Sequence, residues 1–162
     1  MKTYAFHGDF ASASDLQQYM GDPPWVDAYV DYRSDFAAGI AQQDAACLVG
    51  YSRGGAIIGN LSLSLTNIVG AVLYESPLFG VDEPGGTFPV LIIWNGQSRK
   101  RRSIEAWDAL QRWKSGGRSV TMLEGSGRHT KPVWRPSTLF RGHGWDVSLN
   151  DQIGRWVANL VN

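Results

Sequence analysis

Residues 68–74, Ile-Val-Gly-Ala-Val-Leu-Tyr, are apolar on both faces apart from Gly70. A strand with no polar side must be covered above and below, as the central strand of a parallel sheet is. This run therefore argues against an open antiparallel sheet with one wet face and calls for helices on both sides. Residues 89–94 repeat the pattern. Ala46-Cys47-Leu48-Val49 is a shorter version, too brief for a helix. Tyr4-Ala5-Phe6 and residues 25–30 and 120–123 supply the other strand candidates.

Amphipathic segments lie between these runs. Ser14-Asp15-Leu16-Gln17 has the form of a capping box and predicts a helix to about Met20, stopped by Pro23-Pro24. Ser34 is placed to cap a helix reaching about Gln43, and residues 56–65 read as a helix rich in small side chains. Ser103 caps another, with Ile104, Trp107, Leu110 and Trp113 near one side. Leu149, Ile153, Trp156, Val157 and Leu160 recur at helical spacing near the C-terminus. Trp107, Trp113 and Trp156 are expected in the core, and Cys47, inside a strand, is expected to be inert. The order β-α-β-α-β-α-β-β-α-β-α predicts a three-layer αβα sandwich around a mostly parallel sheet of about six strands. Residues 76–88 and 124–147 are expected to be irregular, and 1–162 to form one domain.

Gly50-Tyr51-Ser52-Arg53-Gly54 joins a predicted strand to a predicted helix. In that setting Gly-x-Ser-x-Gly places the serine on a cramped bend that lifts its hydroxyl above the sheet. Side chains at 50 and 54 would collide with neighbouring backbone, hence glycine at both. The helix N-terminus that follows favours a developing oxyanion. His7-Gly8-Asp9-Phe10 follows the first strand. A backbone N–H of Asp9 or Phe10, with that of Arg53, is the expected oxyanion hole, and the His7 ring is expected to brace the loop.

With these motifs, the Val72-Leu73-Tyr74-Glu75-Ser76-Pro77 strand end and a histidine ahead of a terminal helix, the sequence resembles the α/β-hydrolase family. The resemblance covers nearly the whole chain. It implies a minimal, lidless member without the two antiparallel strands that usually open the sheet. It also implies a serine hydrolase for esters or thioesters, working through an acyl-enzyme on Ser52. Family order is serine, acid, histidine. Two histidines follow Ser52. His143 is the expected base because flanking glycines free its backbone. His129 is the alternative, in a basic segment that would lower its basicity. The usual acid position holds Arg99. The expected acid is Glu75, one strand earlier, with Asp82 as alternative. Trp94 and Trp145 are expected to line a substrate pocket. A non-catalytic binding domain of the same shape, or an amidase or peptidase using the same site, remains open.

Composition narrows the partners. Fifteen Lys+Arg balance fifteen Asp+Glu, against a nucleic-acid-coating role. Arg99-Lys100-Arg101-Arg102 is a local basic run, read as a solvated loop. One cysteine excludes an internal disulfide and multi-cysteine zinc sites. No apolar run approaches roughly 20 residues, so no membrane span is expected. The N-terminus lacks a signal-peptide layout, so a cytoplasmic protein is expected. No nucleotide-loop or zinc-protease motif occurs, and no cofactor or metal is expected. The expected partner is a small-molecule or acylated substrate.

Overall fold

The computed structural model describes residues 1–8, 12–31, 36–78, 83–96, 100–126 and 144–161. In chain order the elements are β1 (Lys2–Phe6), α1 (Ala13–Met20), β2 (Ala28–Val30), α2 (Ala37–Ala41), β3 (Ala46–Tyr51), α3 (Gly54–Leu61), β4 (Ile68–Tyr74), β5 (Val90–Asn95), α4 (Lys100–Ser115), β6 (Val120–Gly125) and α5 (Asn150–Ala158). Short 3-10 turns at Val147–Leu149 and Asn159–Val161 flank α5. The six strands form one sheet in the order β2-β1-β3-β4-β5-β6. Every pairing between neighbours is parallel.

Alternation along the strands creates two core layers. Phe6, Leu48, Leu73 and Ile92 face the layer that receives Ile40, Ile58, Ala109 and Leu110 from α2, α3 and α4. Ala5, Val49, Val72, Leu91 and Ile93 face the layer built with Leu16 and Met20 of α1 and Ile153 and Val157 of α5. Two-sided burial is why β3, β4 and β5 read as unbroken apolar runs.

Several boundaries differ from the sequence reading, each for a local reason. The α1 capping box is built on Ser12, not Ser14: the Ser12 hydroxyl accepts from the Asp15 amide at 3.1 Å, and the Asp15 carboxylate accepts from the Ser12 amide at 2.8 Å. β2 is only Ala28–Val30, because Val26 turns back on the Pro23 carbonyl and the Trp25 indole donates to the Asn150 carbonyl. α3 ends at Leu61, where Ser62 and Ser64 hydroxyls turn onto the Gly59 and Leu61 carbonyls.

α4 starts ahead of Ser103 and turns a different face inward. Ala106, Ala109, Leu110 and Trp113 are buried, whereas Ile104 and Trp107 are 57% and 51% exposed. The two alanines let the helix settle close to the sheet, and Trp107 falls outside that stripe. Trp113 is buried and Trp156 packs against the second layer, as expected. Cys47 is fully buried, and desolvation pushes its thiol up to about 12. No described helix is long and apolar enough to cross a membrane.

Candidate active site

β1 and β3 are neighbours that lead to opposite faces of the sheet, β1 into α1 and β3 into α3. Strand order reverses between them, so their C-terminal ends frame a crevice where α/β sheets bind ligands. His7-Gly8 and Ser52 stand at its two sides.

Ser52 has φ of 54°, in the left-handed region that side chains disfavour. Its amide donates to the Tyr74 carbonyl at 2.8 Å, and its carbonyl accepts from the Gly55 amide at 3.1 Å. The bend is thus pinned on both sides between β3 and α3. It closes because the surrounding residues lack side chains. A Cβ at Gly50 would stand 2.6 Å from the Gly55 nitrogen, and one at Gly54 would run into the Phe6 carbonyl. Ser52 is half-buried, and exposed Arg53 is the N-cap of α3. The Arg53 amide therefore belongs to the helix-end donors that have no acceptor within the helix.

Gly8 closes the crevice from the other side. A Cβ there would stand 2.9 Å from Ser52 Cβ and 3.3 Å from its Oγ. The His7 ring is buried, with Nδ1 2.8 Å from the Gly8 carbonyl and Nε2 3.5 Å from Asp31 Oδ1. That placement agrees with a bracing ring.

Glu75 follows Tyr74 directly and is 1% exposed. Its φ of 49° turns it out of strand geometry. Its amide donates to the Ile93 carbonyl at 2.8 Å, and its Oε1 accepts from the Asn95 amide at 2.6 Å. Burial, and then the Glu75 charge, push the neighbouring Tyr51 phenol up.

Behind Glu75 lies a buried polar network that the sequence reading missed. The Asn95 side-chain amide donates to the Gly144 carbonyl at 2.7 Å, and its Oδ1 accepts from the Tyr74 hydroxyl at 3.0 Å. The Tyr74 oxygen accepts from the Asp146 amide at 2.8 Å. The Asp146 carboxylate accepts from the amides and hydroxyls of Ser126 and Ser148. Burial opposes its ionisation, yet these bonds hold it down at about 2. The available signal was a polar atom at the end of each of two apolar runs, Tyr74 and Asn95. Groups placed there are buried and must find partners.

Trp145 is not a pocket wall. It is fully buried, stacked on Tyr74 at 4.2 Å between ring centroids, and its indole N–H donates to Asn150 Oδ1 at 2.9 Å. Its ring anchors the segment before α5 to the sheet. Trp94 is half-buried and packs on the first core layer. Asp9, Phe10, Asp82, Arg99, His129 and His143 lie outside the described residues. Among the described residues, no three His, Cys, Asp or Glu side chains gather as a metal-binding group.

No protein-family model and no curated protein matches the sequence. Solved structures do match. A Bacillus cereus carboxylesterase is 14% identical with a TM-score of 0.64, over 98% of this chain and 88% of its own. An inhibited esterase B from Lactobacillus rhamnosis is 12% identical with a TM-score of 0.64, over 99% of this chain and 77% of its own. A variant of Arabidopsis thaliana SOBER1 is 12% identical with a TM-score of 0.63, over the full length of both chains. Likeness at such low identity is a likeness of fold.

Proposed function

From the α/β-hydrolase-like fold of this chain, we propose that the protein is a serine hydrolase, cleaving a carboxylic ester or thioester through an acyl-enzyme on Ser52. The observation that carries the reading is the strained Ser52 bend, with Gly8 pressed against its side chain at the sheet's switch point. Backbone strain of this kind persists where surrounding structure enforces it, and it concentrates at functional sites. The esterases that share the fold support the same reading.

In this reaction the Ser52 hydroxyl gives its proton to His143 as its oxygen attacks the carbonyl carbon. The oxyanion is met by the amide of Arg53 and that of Asp9 or Phe10. The histidine then protonates the leaving alcohol or thiol, and a water it activates releases the acyl group. Glu75 holds and stabilises the imidazolium. Each step uses the chain's own residues.

Two placements support this choice of partners. Glu75 is a buried carboxylate beside the residue whose carbonyl holds the Ser52 amide, which favours it over Asp82. His143 immediately precedes Gly144, and Gly144 is bonded to Asn95, whose own amide holds Glu75. His129 lies three residues beyond Ser126, which is tied instead to Asp146. Half-buried Trp94 is the aromatic side chain assigned to the acyl group.

The test is hydrolysis of p-nitrophenyl esters, acyl thioesters and an anilide by the wild type and by Ser52→Ala. Ester or thioester turnover lost in the alanine variant is the expected result. Turnover unchanged in that variant overturns the proposal, and faster cleavage of the anilide transfers it to amides.

A further inference from the structure

Asn95, the last residue of β5, is fully buried and has matched groups on three sides. Its backbone amide donates to Glu75 Oε1, its side-chain NH2 to the Gly144 carbonyl, and its Oδ1 accepts from the Tyr74 hydroxyl. This orientation of the amide is fixed by its neighbours, since only the NH2 can face a carbonyl. The adjacent strand makes room for it. A Cβ at Gly125 would clash with Asn95 Oδ1 and stand 2.8 Å from the Tyr74 oxygen.

An amide at the end of an apolar strand is costly to bury unless every group is matched. An aliphatic residue there would fill the space without that demand. What the amide supplies, and an aliphatic cannot, is a fixed register between Glu75 and the chain at Gly144, the neighbour of His143. We infer that Asn95 is a positioning residue: its side chain, through Gly144, sets the base-bearing end of the segment that Tyr74 and Trp145 also hold, against the acid. The inference rests on the proposed roles of Ser52, Glu75 and His143.

Two variants test it. Asn95→Asp keeps the shape and the acceptor toward Tyr74 but turns an oxygen toward the Gly144 carbonyl. Asn95→Ser is neutral and falls short of Gly144. Both leave the backbone amide on Glu75. The readouts are kcat, KM and the pH profile of kcat/KM for p-nitrophenyl acetate, with thermal melting as the check on folding.

The expected result is a fall in kcat of about a hundredfold, the scale of an ångström-sized misplacement. KM should stay within about twofold, because Asn95 touches no substrate. In the neutral Asn95→Ser variant the ascending limb of the pH profile should move to lower pH, because a base separated from its carboxylate is easier to deprotonate. A merely structural residue would lower the melting temperature without moving that limb. Wild-type kcat in a folded variant, an unmoved limb in Asn95→Ser, or failure of both variants to fold overturns the inference. If Ser52→Ala abolishes turnover while the Asn95 variants match wild type, this inference alone fails. If the wild type has no Ser52-dependent turnover, the proposed function fails and the positioning role falls with it.

Discussion

Gly8→Ala tests the crevice at its narrowest point. The new methyl would stand 2.9 Å from Ser52 Cβ, 3.3 Å from Oγ and 3.3 Å from the Tyr51 carbonyl oxygen. Ordinary carbon–carbon contacts begin near ~3.5 Å, so the two sides must part by roughly half an ångström to one ångström. Gly8 is not among the residues in the left-handed region, so alanine adds no backbone strain there. Ser52 is less free to yield, because its own φ of 54° and its bond to Tyr74 hold it. The displacement therefore falls on the serine oxygen and the loop that faces it. Misplacing reacting groups by about 1 Å costs about a hundredfold in rate. Overpacking costs about 1–3 kcal/mol of stability, at the lower end for a site at a sheet's edge. A domain with a typical stability of about 5–15 kcal/mol remains folded under that load. The assay is kcat for p-nitrophenyl acetate measured beside a thermal melt. The expected outcome is a kcat lower by about a hundredfold with a melting point lower by only a few degrees. A folded variant within about threefold of wild-type kcat would refute the close packing of Gly8 on the nucleophile.

Three further substitutions separate charge, stability and backbone effects. Glu75→Gln keeps an oxygen for the Asn95 amide but removes the charge, so kcat should fall by about 10²–10⁴-fold with the fold retained; unchanged kcat would assign the acid elsewhere. Asp146 has a folded pKa depressed to about 2, so its contribution is complete above the ordinary carboxylate range and is lost as pH falls toward 2. The shift corresponds to about 2 kcal/mol; urea unfolding between pH 3 and pH 7 should show Asp146→Asn less stable at neutral pH, with a flatter acid limb, and equal pH dependence would contradict this. Gly39 lies in α2 with nothing within 4 Å of an added Cβ, so Gly39→Ala should raise stability by about 1 kcal/mol in a urea titration and leave kcat unchanged.

The layered architecture was legible because hydrophobic periodicity carries it. Ile68–Tyr74 shows no polar face and is a central strand over those same residues. Boundaries set by single hydrogen bonds were less legible. The sequence reading puts the α1 cap at Ser14, whereas the reciprocal bonds are made by Ser12 and Asp15, a pair at the same three-residue spacing. Trp107 misled because its spacing from Leu110 and Trp113 suits a stripe, whereas the sheet accepts the face carrying Ala106 and Ala109. The Ser52 bend was readable from the glycines at 50 and 54, whose missing side chains are a steric requirement visible in one dimension. The network of Tyr74, Asn95, Gly144 and Asp146 was not, because it joins residues as far as 72 positions apart through strand neighbours. Trp145 failed as a pocket residue for the same reason: its stacking partner Tyr74 lies on a distant strand.

The central claim is that Ser52 is a nucleophile held ready by its bend. Its most direct test is treatment of the folded protein with a fluorophosphonate, followed by intact-mass measurement and peptide mapping. The account predicts a single phosphonyl adduct on the peptide that contains Ser52, absent in Ser52→Ala. No adduct, or one that persists in the alanine variant, would contradict it.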